Sequence, residues 1–274
     1  MTRFQRSVLH LPRSLSLAAL AVVGCGPGAR PDTTDSVDAS VNGTDCSEAA
    51  KLIYVVDYTK EMHSFDPAML AFASVGSVSC MSASAFSMAV DRHAVARVHS
   101  TDGTLVRFDI PTATCTPLPF AAGQHGFVNF GMGFASNSMG SQDETLYVGS
   151  DVGLGLATID LNTYALTKIG LFDISGRPEL TGTGEGKLYG LFEASPYSVA
   201  EINKTTASSV STAPQTVSGV SNFAFAFWGA DFYLFVAKDV YRYRPSDQTT
   251  VKVTTTTFDV VGAGVSTCAP TVLL

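Results

Sequence analysis

Positive charge and long apolar runs are both scarce in this sequence. Only 17 of its 274 residues are Lys or Arg, against 24 Asp and Glu, and no run of basic residues occurs. Nucleic-acid binding needs clustered cations to neutralise phosphates, so that class of partner is excluded. The longest apolar run, Leu15 to Val23, is far short of the ~20 residues that a membrane-spanning helix requires. The cysteines form no Cys-x-x-Cys pair beside clustered histidines, which removes the common zinc sites. A Gly-x-Ser-x-Gly elbow is also missing, and with it the nucleophile signal of one large class of serine hydrolases. Gly182-Thr-Gly-Glu-Gly-Lys187 imitates a phosphate loop, but Thr181 stands where a Gly is needed and Leu188 where Ser or Thr is needed. It is expected to be a β-turn.

What the chain does contain is a repeat. Gly126 to Ser175 holds four short β-type runs, Phe127–Ala135, Glu144–Val148, Leu156–Asp160 and Ala165–Leu171, separated by Gly, Asn, Ser and Asp. Four strands in 40 to 50 residues make one blade of a β-propeller. The mark Ile159-Asp160 recurs as Phe65-Asp66, Phe108-Asp109, Ile202-Asn203 and Tyr243-Arg244, at intervals of 43, 51, 43 and 41 residues. The preceding strand gives a second series at Leu52–Val56, Ala94–Val98, Leu146–Val148, Leu188–Phe192 and Phe232–Val236. Inner strands are read at Phe86–Val90, Phe130–Phe134, Glu179–Thr183 and Phe223–Trp228, where small residues suit strands converging on an axis.

The first unit lacks an inner strand, since Cys46-Ser-Glu-Ala-Ala50 has the wrong chemistry. Val260-Val-Gly-Ala-Gly-Val-Ser266 has the right one and no blade of its own. The expected fold is therefore all-β, a propeller of about five four-stranded blades closed by the C-terminal strand completing the first. A six-bladed ring hiding in the longer interval, or an irregular sandwich, is the alternative.

Residues 1–24 carry Arg3, Arg6 and Arg13 ahead of the apolar run, which describes an export signal. Val22-Val-Gly-Cys25 resembles the bacterial lipobox, in which the Cys is lipidated; an ordinary cleaved signal with a chance Cys is the plainer alternative. Residues 25–45 read as a flexible tether and 46–274 as the propeller domain. Removing 1–24 takes away three arginines and no acids, leaving 14 basic against 24 acidic residues and a net charge of -10. Cys46, Cys80, Cys115 and Cys268 remain, an even number suited to an oxidising compartment. The pairs expected are Cys46 with Cys268, locking the ring closure, and Cys80 with Cys115, in neighbouring blades, although four cysteines allow three pairings.

Four carboxylates, Asp91, Glu179, Glu185 and Asp231, lie on or just after inner strands, at places expected to be equivalent around the ring. Together with loop carbonyls they could hold Ca²⁺, and with a neighbouring His such as His93 they could form the metal site of an enzyme. The plainer expectation is that they cap turns and that no cofactor is bound. His63, His93, His99 and His125 read as scattered residues on turns or strand ends, and Trp228 and Tyr233 as core rather than a sugar-stacking rim.

The lipobox, acidic tether and degenerate blades with Tyr-Val and Asp-Pro marks make the chain resemble the uncharacterised propeller lipoproteins of Gram-negative bacteria with large genomes. It lacks the Trp-Asp signature of WD repeats. The resemblance implies a monomeric lipoprotein of the cell envelope, outer-membrane sorted because Gly26 and not Asp follows Cys25. It carries no catalytic residue across. A binding or scaffold module for an envelope protein or glycan is expected, with a metal-dependent hydrolase or lyase at the channel mouth as the alternative.

Overall fold

The structure, a computed structural model, describes residues 46–218 and 222–272. The signal segment, Cys25 and the whole of the tether lie outside the described residues.

Five four-stranded antiparallel sheets make five blades. The first combines β20 (Val260–Val265) with β1 (Ile53–Asp57), β2 (Glu61–Asp66) and β3 (Ala71–Ser77). The second runs β4 (Ala85–Val90) to β7 (Thr114–Pro117), with β5 (Val95–Ser100) and β6 (Leu105–Asp109) between. The third is β8 (Phe130–Ser136), β9 (Glu144–Ser150), β10 (Leu156–Ile159) and β11 (Leu166–Gly170). The fourth is β12 (Pro178–Gly182), β13 (Leu188–Phe192), β14 (Ser198–Ile202) and β15 (Ser209–Pro214). The fifth is β16 (Phe223–Trp228), β17 (Asp231–Val236), β18 (Asp239–Arg244) and β19 (Thr249–Thr255).

Each blade is graded from axis to rim. Inner strands β8, β12, β16 and β20 are buried along their whole length, whereas the outer strands β3 and β19 alternate and stay largely wet. Neighbouring inner strands touch around a complete ring, β20 to β4 to β8 to β12 to β16 and back to β20. The approach is close enough to demand glycine: a Cβ at Gly131 would run into the Pro178 carbonyl, and one at Gly182 into the Phe134 carbonyl.

The core is divided among the joints between blades. Tyr54, Val56 and Met62 of the first blade pack on Met88, Val90 and Ala96 of the second. Ile53, Val55 and Phe65, on the other side of that blade, pack on Trp228, Tyr233 and Phe235 of the fifth. Trp228 and Tyr233 are buried, as expected of core residues.

The repeat mark has a chemical basis. Its first residue, Phe65, Phe108, Ile159, Ile202 or Tyr243, is buried in a joint. Its second accepts hydrogen bonds from amides of the next turn: Asp66 from Ala68 and Met69, Asp109 from Thr112, Asp160 from Asn162 and Thr163, Asn203 from Thr205 and Thr206. Arg244 cannot do this, and Asp247 takes the role by accepting from the Thr249 amide. The longer interval is a loop, not a hidden blade. It carries Phe120 and Phe127 into the joint between the second and third blades.

Ring closure is antiparallel pairing of β20 with β1, Ile53 opposite Val265 and Val55 opposite Ala263. Cys46 and Cys268 are disulfide-bonded just beyond it, across a sequence separation of 222, and Cys80 and Cys115 join the first two blades across a separation of 35. In the chain-entropy picture these loops are worth about 5 and about 4 kcal/mol respectively. Cys46→Ala should therefore lower the melting temperature more than Cys80→Ala. Calorimetric melts of the two variants check this, and an equal or reversed order would mean that β20 holds the ring without the bridge.

Candidate functional site

The ring has two unlike ends. Where the inner strands finish, the hairpin turns carry Asp91, Glu185 and Asp231. Asp91 accepts hydrogen bonds from the amides of His93 (2.9 Å) and Val95 (3.0 Å), and its other oxygen lies 3.3 Å from Arg97 Nη1. Asp231 sits between Arg242 and Arg244, with Nε atoms 3.6 Å away on each side. Glu185 is in the turn from β12 to β13, closed by the Gly186 amide donating to the Thr183 carbonyl. His93 is exposed on the turn that Asp91 caps. No group of three or more His, Cys, Asp or Glu is gathered at ligating distance among the described residues.

Glu179 does not share their position. It stands second in β12, at the opposite end of the ring, because Glu179 opens its inner strand whereas Asp91 and Asp231 follow theirs. The expected equivalence of the four carboxylates fails because of this difference in position along the inner strand.

Sequence reasoning also missed Glu144, whose two oxygens join three blades. Oε1 accepts from the Arg92 amide at 3.0 Å and Oε2 from Thr267 Oγ1 at 2.8 Å. Burial raises its pKa. Arg92 reaches back to the Ser141 carbonyl, and its Nη2 lies 3.9 Å from Cys46 Sγ. This polar network surrounds the ring-closing disulfide.

Two histidines also depart from expectation. His63 lies within β2 and His99 within β5, not on turns. His99 is fully buried, stacked on Phe130 with centroids 3.9 Å apart, and Nε2 donates to the Val128 carbonyl at 3.1 Å. Burial lowers it to about 4, so it is neutral and structural.

The other end, where the inner strands begin, holds a cavity of about 90 Å³. Phe86 and Phe223 form apolar walls, Tyr58 and Asn222 stand at its side, and Arg177 and Glu179 supply charge. Arg177 immediately precedes β12, and its guanidinium carbon lies 4.8 Å from the Phe223 ring centroid and 5.7 Å from that of Phe86. Its Nε is 3.1 Å from Glu193 Oε2. Glu179 is 4% exposed. Ser87 Oγ donates to Glu179 Oε2 at 2.7 Å while accepting the Met132 amide at 3.1 Å. Residues of the second, third and fourth blades thus meet through one hydroxyl. Burial drives the Glu179 pKa well above its ordinary value of 4.5, against the smaller opposing pull of Ser87 and Arg177. Glu179 was legible as an inner-strand acid; Arg177 had a weaker signal, as a cation placed directly before an inner strand.

Compared with known proteins, the chain matches no family model and no curated protein. Among solved structures it is similar to a structural genomics protein of unknown function from Bacteroides thetaiotaomicron VPI-5482, at 12% identity and a TM-score of 0.50. The match covers 74% of this chain and 55% of that one, so this chain spans about half of that protein's length. The likeness is one of fold alone.

The raised Glu179 pKa has a measurable consequence. The folded carboxyl holds its proton more tightly than the unfolded one, so unfolding releases a proton at any pH between the two values. The stability linked to that proton is fully present below pH 4.5 and is lost as pH rises toward the folded value. Glu179→Gln removes the loss. Melts from acid to mildly alkaline pH should show the variant gaining on the wild type as pH rises, and parallel curves would show that Glu179 is ionised in the fold.

Proposed function

We propose that this protein is an exported, lipid-anchored binding module that presents the inner-strand-start end of a rigid ring to an envelope protein or glycan. The observation that carries the reading is the size and chemistry of the mouth. Sites for whole small molecules run from about 300 Å³ upward, whereas this cavity is about 90 Å³, with aromatic walls and a few convergent polar groups. Such a hollow suits one group projecting from a larger partner. Tyr58, 61% exposed, Val152 and Leu171 stand in loops on the same end and widen the contact around it. Asp91 and Asp231 support the reading in a second way, because their oxygens are engaged by arginines or turn amides.

The anchor is Cys25 in this reading, with 26–45 as the tether, and the two disulfides fit an oxidising compartment. Labelled palmitate should enter the wild type and not Cys25→Ala; equal labelling of both would remove the anchor from the proposal.

Binding is tested by sedimenting the purified protein with envelopes. Retention should saturate and should weaken about tenfold for Tyr58→Ala, as loss of a central aromatic contact does, and protease or glycosidase treatment of the envelopes then names the partner class. The competing reading is a metal-dependent hydrolase or lyase using Asp91, Glu179, Glu185 and Asp231. Unsaturable retention, together with a stoichiometric metal whose chelation lowers the melting temperature, would favour the enzyme.

A further inference from the structure

The mouth cavity also carries a statement about what enters it. Glu179 has one carboxyl oxygen committed: Oε2 accepts from the Ser87 hydroxyl, whose oxygen in turn accepts the Met132 amide. Among the described residues no hydrogen bond reaches Oε1, and Glu179 lines the cavity. Burial, with no ion-pair contact of its own among the described residues, favours the protonated form of Glu179, and while Oε2 accepts from Ser87 the proton of that form sits on Oε1. The group therefore offers an O–H donor, where an ionised carboxylate could only accept. Arg177 contributes positive charge at the same cavity, with its guanidinium held against Phe223 and its Nε beside Glu193. Donor and cation together favour an anionic acceptor.

The walls and volume narrow the choice. Phe86 and Phe223 offer rings and no hydrogen bonds, which suits a short apolar stem. About 90 Å³ is too little for a sugar ring bearing an acid group and enough for a carboxylate on one or two carbons.

We propose that this cavity receives a single carboxylate on a short apolar stem, of the kind that ends a peptide chain, gripped between the Glu179 carboxyl and the Arg177 guanidinium. The proposal rests on the binding-module reading and narrows its partner to a protein. The chain's net negative charge opposes the approach at long range, but salt confines that repulsion to about 8–10 Å, and a neutral Glu179 adds nothing to it.

The test uses propionate as the probe on the full chain, with the Met132 amide, two hydrogen bonds from Glu179 through Ser87, followed by NMR. Propionate should shift that amide saturably, and propionamide, its neutral isostere, should bind at least about tenfold more weakly, as loss of a charge-assisted hydrogen bond implies. Glu179→Gln keeps a donor in place and should stay within about threefold of the wild type, whereas Glu179→Ala should lose about tenfold or more. Unchanged pH-matched melting of the Gln variant at acid pH shows that its fold is intact. Three results overturn the proposal: propylammonium binding that Glu179→Gln abolishes, which would make Glu179 an ionised cation receptor; glucuronate binding more tightly than propionate, which would make the partner an acidic glycan; and no saturable shift from propionate at all. Saturable retention on envelopes in that last case would leave the binding-module reading standing without a carboxylate site.

Discussion

The pairing of β20 with β1 is the constraint on which the rest of this molecule depends. A propeller built from successive blades has one joint that chain connectivity cannot supply, between the last blade and the first. Here the first blade lacks its inner strand until the chain end returns to provide it. That return is costly in loop entropy, and ladder hydrogen bonds, the joint around Trp228 and Phe65, and the Cys46–Cys268 bridge offset it at one place. Ser266 Oγ donating to the Ala50 carbonyl adds to the same closure, and Trp228 Nε1 donating to the Lys51 carbonyl ties that region to the fifth blade.

The mouth cavity is a product of that closure. Its lining draws Tyr58 and Val261 from the first blade, Phe86 from the second, Glu179 from the fourth and Phe223 from the fifth. The third blade enters through the Met132 amide on Ser87. An open ring would separate these groups, admit water to Glu179 and return it to ordinary carboxylate behaviour. The shape of the mouth and the integrity of the ring are therefore coupled by construction.

Carboxylates at the two ends have different surroundings. Asp91 caps its turn and lies beside Arg97, and Asp231 lies between Arg242 and Arg244. Among the described residues Glu179 has the Ser87 hydroxyl as its hydrogen-bond partner, and its burial favours the neutral form against the smaller pull of Ser87 and Arg177.

The sequence by itself determined the blades. Buried marks such as Phe65 and Ile159, and the caps Asp66, Asp160 and Asn203 beside them, act within a few residues of chain, so their period is written in the order of the letters. The closing strand was legible for the same kind of reason, as an inner-strand composition without a blade, and the Cys46–Cys268 expectation came with it, although the four cysteines left other pairings open. Only the tertiary structure decided which acids meet. Whether Glu179 meets Ser87 depends on contact between blades whose partner residues are 92 positions apart in sequence. Whether it keeps a proton depends on burial by all five blades and on the hydrogen-bond direction through Ser87. Those are properties of convergence at an axis, to which each blade contributes a residue or two, and no local pattern records them.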